Sequence, residues 1–254
     1  MDRKKLEKSF EAYVAGYDLN DVKIYLKYVH TGKVAENCEA IARSLDLSEE
    51  DVDLAWEIGM LHDIGRFEQV KRYGTYIDAK SIDHAQFGAD LLFKERQMEQ
   101  FDADVSRYAL IELAIRCHNR YRLPEDLSER ELLFCQIIRD ADKVDIFRAN
   151  YETGLEAIYN VSTEELKQSD ISEEVFQAFR EERAVLRTAK MCALDHLVGH
   201  LCLAFELVYP KSRELAAGQG YLKKLLDFQS ERADVMGKLE EIRKRFEQLG
   251  FINR

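Results

Sequence analysis

A histidine and an aspartate stand side by side in the stretch IGMLHDIGRF, residues 58–67, where an apolar helical pattern gives way to glycine and charge. His62 and Asp63 are metal-type ligands, and they do not stand alone. The chain has six histidines, and His30, His84 and His118 join His62 before residue 120 at the ends or faces of expected helices. Further on, IIRDADKVDIF places Asp140, Asp142 and Asp145 inside an otherwise apolar run. Carboxylates buried there are costly unless a cation compensates them. Imidazoles mixed with carboxylates select transition ions such as Mn, Fe, Co, Ni or Zn over an oxygen-only ion such as calcium. With five or more such ligands, two divalent ions are the expectation. A carboxylate beside a histidine can bridge ions roughly 3.5–4 Å apart, the separation that suits attack on phosphorus. Asp63 is the candidate for that bridge.

Cations follow both histidine segments. Arg66, Lys71 and Arg72 come after the His62-Asp63 pair, and Arg120 and Arg122 come after His118. Guanidinium and ammonium groups match phosphate oxygens and stabilise developing charge, so Arg66, Lys71 and Arg120 are candidates for a substrate clamp, with Asp63 the fourth catalytic candidate. The remaining histidines, His196 and His200, lie four apart on an apolar helical stretch. They lack the glutamate of an HExxH arrangement, so packing is the expectation there. Cys117 carries no mark of an activated thiolate. GRFEQVKRYG lacks the glycine spacing of a Walker sequence.

The elements that must position these residues read as helices. Two prolines and twelve glycines in 254 residues leave few helix stops, and alternation at strand length is scarce, so the expected class is all-α. Ser48 with Asp51, and Ser128 with Glu131, have capping-box spacing. Helices are expected near 2–15, 21–45, 49–62, 84–99, 102–118, 129–150, 155–160, 172–209 and 228–248, with 65–83 an irregular loop and 151–172 a polar hinge. One domain over 1–254 is expected, with a metal-binding core at about 22–150 and a C-terminal helical layer at about 151–254.

A formal charge of −11 excludes a broad surface for extended nucleic acid while leaving room for a local basic pocket. The five cysteines form no CxxC pair and point to a reducing, cytoplasmic setting. MDRKKLEKSFEAY lacks the apolar core of a signal peptide, and CALDHLVGHLCLAFELVY is interrupted by charge, so no membrane association is expected. Apolar helix faces serve a core and a homodimer interface with the same pattern, which keeps a homodimer open.

The order His30, then His62-Asp63, then a distal aspartate resembles the HD superfamily of metal-dependent phosphohydrolases. VHTGKVAENCEAIARSL is similar to the helix presenting the first histidine, and AWEIGMLHDIGR to the helix ending in the pair. Ala141-Asp142-Lys143-Val144 matches the context of the distal aspartate, which favours Asp142 over Asp140. The likeness covers roughly residues 22–150. SIDHAQFGADLL and AIRCHNRYRLP resemble the two histidine insertions of two-metal members. That resemblance implies an HD-type helical bundle with added C-terminal helices. It assigns His30, His62, Asp63 and Asp142 to one ion and Asp63, His84 and His118 to the other. It implies hydrolysis of a phosphoester or phosphoanhydride in a small phosphorylated metabolite, a nucleotide first among them. The second reading is a diiron oxygenase on the same ligands, oxidising a small organic substrate. Asn119 stands where the branch hydrolysing cyclic di-GMP has a second histidine, and no GYP motif follows, so cyclic di-GMP is not the expected substrate.

Overall fold

The structure, a computed structural model, describes residues 2–101, 104–189 and 191–253. Among the described residues there is no strand, and the all-α expectation holds. The chain divides into two compact units, Met1–Asp142 and Lys143–Arg254.

In the first unit, helix α1 (Arg3–Val14) opens on Asp2 and α2 (Val22–Ser44) on Asp21, whose carboxylates accept the Lys5 and Lys23 N–H groups. Helix α3 (Glu49–Leu61) starts at Ser48, whose Oγ accepts the Asp51 N–H, as the capping spacing requires. Helices α2 and α3 pack on each other, and Val34, Cys38, Ile41, Leu54, Ile58 and Leu61 of these helices are buried. The crossing is tight because Gly59 lies against Ala35: a Cβ at Gly59 would come within 2.6 Å of the Ala35 Cα.

Residues 65–83 are not one irregular loop. Helix α4 (Ile64–Tyr73) starts directly after the His62-Asp63 pair and ends at Gly74, whose φ of +67° is the left-handed stop that favours glycine. Its buried face is Ile64, Phe67 and Val70 together with the amide of Gln69. The long polar residues among them hide a helical period that the core nevertheless uses. Phe67 meets Phe10 and Tyr13 edge-on at 5.9 and 6.0 Å between centroids. After a single 3-10 turn at Asp78–Lys80 comes α5 (His84–Ala89).

The helix expected over 84–99 is likewise interrupted. It passes into a π-helical turn at Asp90–Lys94, and Arg96 takes φ +61° before a 3-10 turn at Gln97–Gln100. Helix α6 (Tyr108–Cys117) follows a 3-10 turn at Val105–Arg107; the expected start at residue 102 lies outside the described residues. Helix α7 (Glu129–Thr153) begins with the full capping box, Glu131 N–H to Ser128 Oγ and Ser128 N–H to Glu131 Oε2.

The second unit continues from α7 through α8 (Leu155–Tyr159), α9 (Thr163–Gln168), α10 (Glu173–Arg180), α11 (Asp195–Leu201), α12 (Pro210–Gly218), α13 (Tyr221–Leu226) and α14 (Ala233–Gln248). These are the additional C-terminal helices. The single helix expected over 172–209, which includes undescribed Lys190, is several pieces: Glu182 adopts φ +52°, and the Asp195 carboxylate accepts the N–H groups of Ser172, Met191 and Cys192. A side chain that satisfies loop amides this well favours a break over a continuous ladder. Phe147, Phe176, Leu197, Leu225, Ile242 and Phe246 belong to this unit's apolar interior.

Candidate metal centre

Each candidate ligand sits at a helix end or on a buried helix face of the first unit. His30 is on the inner face of α2. His62 closes α3 and Asp63 opens α4, at φ −107° and ψ 16°, outside helical geometry. His84 is the first residue of α5, His118 closes α6, and Asp142 lies on α7. All four histidines and Asp63 are buried, and Asp142 is 18 % exposed. Glycine sets the approach of α4 to α5, because a Cβ at Gly65 would lie 2.5 Å from the His84 carbonyl oxygen and 2.7 Å from the Gly88 nitrogen.

The Asp63 carboxylate divides the cluster. Its Oδ2 faces His30 Nε2 at 3.6 Å and His62 Nε2 at 3.7 Å, while its Oδ1 faces His84 Nε2 at 3.4 Å and His118 Nε2 at 3.8 Å. Asp142 Oδ1 closes the first group, 3.1 Å from His30 Nε2 and 3.9 Å from His62 Nε2. Two sets of atoms are thereby close enough to hold an ion: His30, His62 and Asp63, and Asp63, His84 and His118.

Three imidazoles are oriented from behind. His62 Nδ1 faces the Gly59 carbonyl at 2.7 Å, His118 Nδ1 the Ile115 carbonyl at 2.7 Å, and His84 Nδ1 the Asp78 carboxylate at 2.8 Å. Each Nδ1 opposite a carbonyl or carboxylate must carry the proton, which leaves Nε2 with a lone pair turned inward. Burial drives the His62 imidazole down to about 4, and burial with the Arg66 charge drives His84 down to about 3, so both are neutral at physiological pH. The consequence is an arrangement that needs a cation. His84 and His118 present Nε2 to each other at 3.0 Å, lone pair against lone pair, and His62 Nε2 and Asp63 Oδ1 are buried with no hydrogen-bond partner among the described residues. Neutral imidazole nitrogens and a carboxylate are the donor set of a divalent transition ion, so the residues fit such a metal.

Burial opposes ionisation of Asp63, but the charges of Lys27 and Arg66 outweigh it and hold the carboxyl well below the usual range. Asp142 is likewise held low: burial opposes its charge, and the His30 contact overcomes it.

Several supporting residues were not singled out by the sequence. Lys27 Nζ lies 2.7 Å from Asp63 Oδ2. Asp78 receives His84 on Oδ2 and Arg66 and Gln69 on Oδ1. Arg139 donates from α7 to the carbonyls of Cys117, His118 and Arg120, a cation at the C-terminus of α6 that fixes the backbone of His118. Asn119 donates to Asp83 at 3.0 Å, tying the two later histidine segments together. Lys27, three residues before His30 on a helix, is the one that spacing alone could have flagged.

The clamp candidates fare differently. Arg66 reaches the centre, its Nε 3.6 Å from Asp63 Oδ1, and is pinned through Nη1 to Gln69, the Tyr76 carbonyl and Asp78. Arg120 is exposed two residues beyond His118, with its own carbonyl held by Arg139. Lys71 is not brought to the cluster; it is exposed and lays its Nζ over the Tyr17 ring at 5.2 Å. Asp78, Asp83 and His84 also approach one another, but Asp78 is committed to Arg66 and Gln69, and Asp83 to the first turn of α5. Asp145 is gripped by both arms of Arg148 in the second unit. There too His200 Nδ1 meets Asn150 and Tyr159, and His196 stacks on Tyr159, a packing role for the pair.

No helix among the described residues is long and apolar enough to cross a membrane. No curated protein and no solved structure matches the chain. Residues 28–146 match the family model described as HD domain, a span that runs from just before His30 to just past Asp142 and takes in every ligand candidate. The match, the ordered histidines and aspartates and the all-helical fold agree: residues 28–146 form an HD domain, of a superfamily that is in general one of metal-dependent hydrolases.

Proposed function

We propose that this protein is a two-metal phosphohydrolase acting on a small phosphorylated metabolite, with nucleotides the first class to test. The observation that carries this reading is the split of Asp63, one oxygen toward His30 and His62 and the other toward His84 and His118. When bound, divalent transition ions acidify water toward neutrality and polarise a phosphoryl group. The chain's residues do the rest. Asp63, kept ionised by its cationic surroundings, joins the two histidine pairs, and Asp142 completes the first. Asp78 and the Gly59 and Ile115 carbonyls hold three imidazoles in the tautomer that binds a cation. Arg66, fixed in place, sets a positive charge beside Asp63, and exposed Arg120 is the cation at the rim for phosphate oxygens.

The test is elemental analysis of protein purified without chelator, alongside Asp63→Ala and His84→Ala, followed by phosphate release from a nucleotide panel with and without dioxygen. Two ions per chain, reduced to one or none in the variants, with turnover undiminished under nitrogen, is the expected result. One ion retained in His84→Ala at full activity removes the second metal from the reaction, and turnover that requires dioxygen replaces hydrolysis with oxidation.

A further inference from the structure

Two cations face Asp63, and they are held in different ways. Arg66 cannot leave, since Gln69, the Tyr76 carbonyl and Asp78 all receive its Nη1. Among the described residues Lys27 has one short polar contact, its Nζ at 2.7 Å from Asp63 Oδ2, with the Tyr76 ring centroid 5.7 Å away. Its side chain is 16 % exposed at the edge of the cluster. A lysine stem is flexible, and an ammonium pairs as a point charge without the fixed geometry of a guanidinium. The oxygen it occupies is the one turned to His30 and His62. An ammonium and a divalent ion compete for that oxygen, and they repel each other across the few ångströms involved.

Resting on the metal-centre reading above, we infer that Lys27 is a built-in counter-cation for Asp63 that gives way when a metal ion binds and turns to an oxyanion of the substrate. In the metal-free protein it compensates a buried carboxylate that would otherwise be costly. Once a metal takes over that task, the ammonium is left at the rim in need of an anion, and a phosphate supplies one. Metal and phosphate therefore strengthen each other's binding, and by linkage the strengthening is reciprocal.

The experiment is calorimetric titration of Mn2+ into the wild type, Lys27→Met and Lys27→Gln, with and without inorganic phosphate, and the melting temperature of each. The glutamine variant keeps a donor to Asp63 without charge, so it tests the idea even where the methionine variant folds poorly. Both variants are expected to bind Mn2+ about tenfold more tightly than the wild type. Both are expected to melt lower without metal and to gain more on adding it. Phosphate should tighten Mn2+ binding in the wild type and lose that effect in both variants. Equal or weaker Mn2+ binding by the variants, with the wild type binding normally, overturns the role of Lys27 alone. Absence of Mn2+ binding in all three proteins overturns the metal centre and this inference together.

Discussion

The two units treat buried polar groups in opposite ways. In Lys143–Arg254, Asp145 receives both arms of Arg148, and Asp195 accepts three backbone N–H groups. The surrounding interior is aromatic and aliphatic. In Met1–Asp142, four buried histidines converge on one buried aspartate, and inward-facing lone pairs of His62, His84 and His118 meet no donor that satisfies them. Buried polar groups are normally paired, so the second unit follows the usual economy of a folded domain. In the first, the buried groups left without a hydrogen-bond partner among the described residues include His62 Nε2 and Asp63 Oδ1 of the histidine cluster, and a concentration of that kind is where a ligand belongs. Desolvated lone pairs are unfavourable by themselves and would be satisfied by a cation, so metal binding would stabilise this unit.

Three substitutions would break or sharpen that contrast. The largest effect is expected from Phe246→Ala, because Phe246 is fully buried between Phe205 and Phe251. Losing it should cost about 3–5 kcal/mol of stability, read by denaturant unfolding, with metal content per folded chain unchanged. Loss of metal in that variant would mean that the units are not separable in function.

Gly65→Ala comes next. Its Cβ would strike the backbone of His84 and Gly88, so about 2 kcal/mol of destabilisation is expected, together with weaker metal binding because His84 must shift. Unchanged metal affinity at that stability cost would show that the α4–α5 approach serves packing alone.

The smallest effect is expected from Asp51→Asn. Arg130 donates to Asp51 at 2.5 Å across the surface, and this hydrogen bond lowers the carboxyl. A depressed carboxyl contributes stability above its unfolded value of about 3.9 and loses it as the pH falls. Arg130 is 54 % exposed, so screening limits the effect to about 0.5 kcal/mol at pH 7, shrinking below about pH 4. Thermal melts at pH 7 and pH 3 would measure it, and a difference that grows on acidification would contradict the pairing.

Much of this was legible in linear order because it depends on neighbours. Capping at Ser48 and Ser128 is set by residues three apart, and the helices carrying His30 and His62 follow from apolar periodicity. Helix α4 was not legible, because Arg66, Glu68, Lys71 and Arg72 mask a buried face that includes an amide, Gln69. The break after α10 was not legible either: CALDHLVGHLCLAF is apolar enough to continue a helix, and the turn exists because Asp195 finds amides of Ser172, Met191 and Cys192 to satisfy.

From residue types and spacing came the helical class, the candidate ligands His30, His62, Asp63, His84 and His118 with a distal aspartate among Asp140, Asp142 and Asp145, and the chemistry such a donor set selects; the resemblance to the HD superfamily singled out Asp142. Those properties are local or compositional, and a chain carries them before it folds. Only tertiary structure decided that one Asp63 oxygen faces each histidine pair, that Asp78 and Arg139 support His84 and His118, that Lys27 shares Asp63 and that Lys71 turns to Tyr17. These are distances between side chains on different helices, and they are set by how closely glycines such as Gly59 and Gly65 let those helices approach.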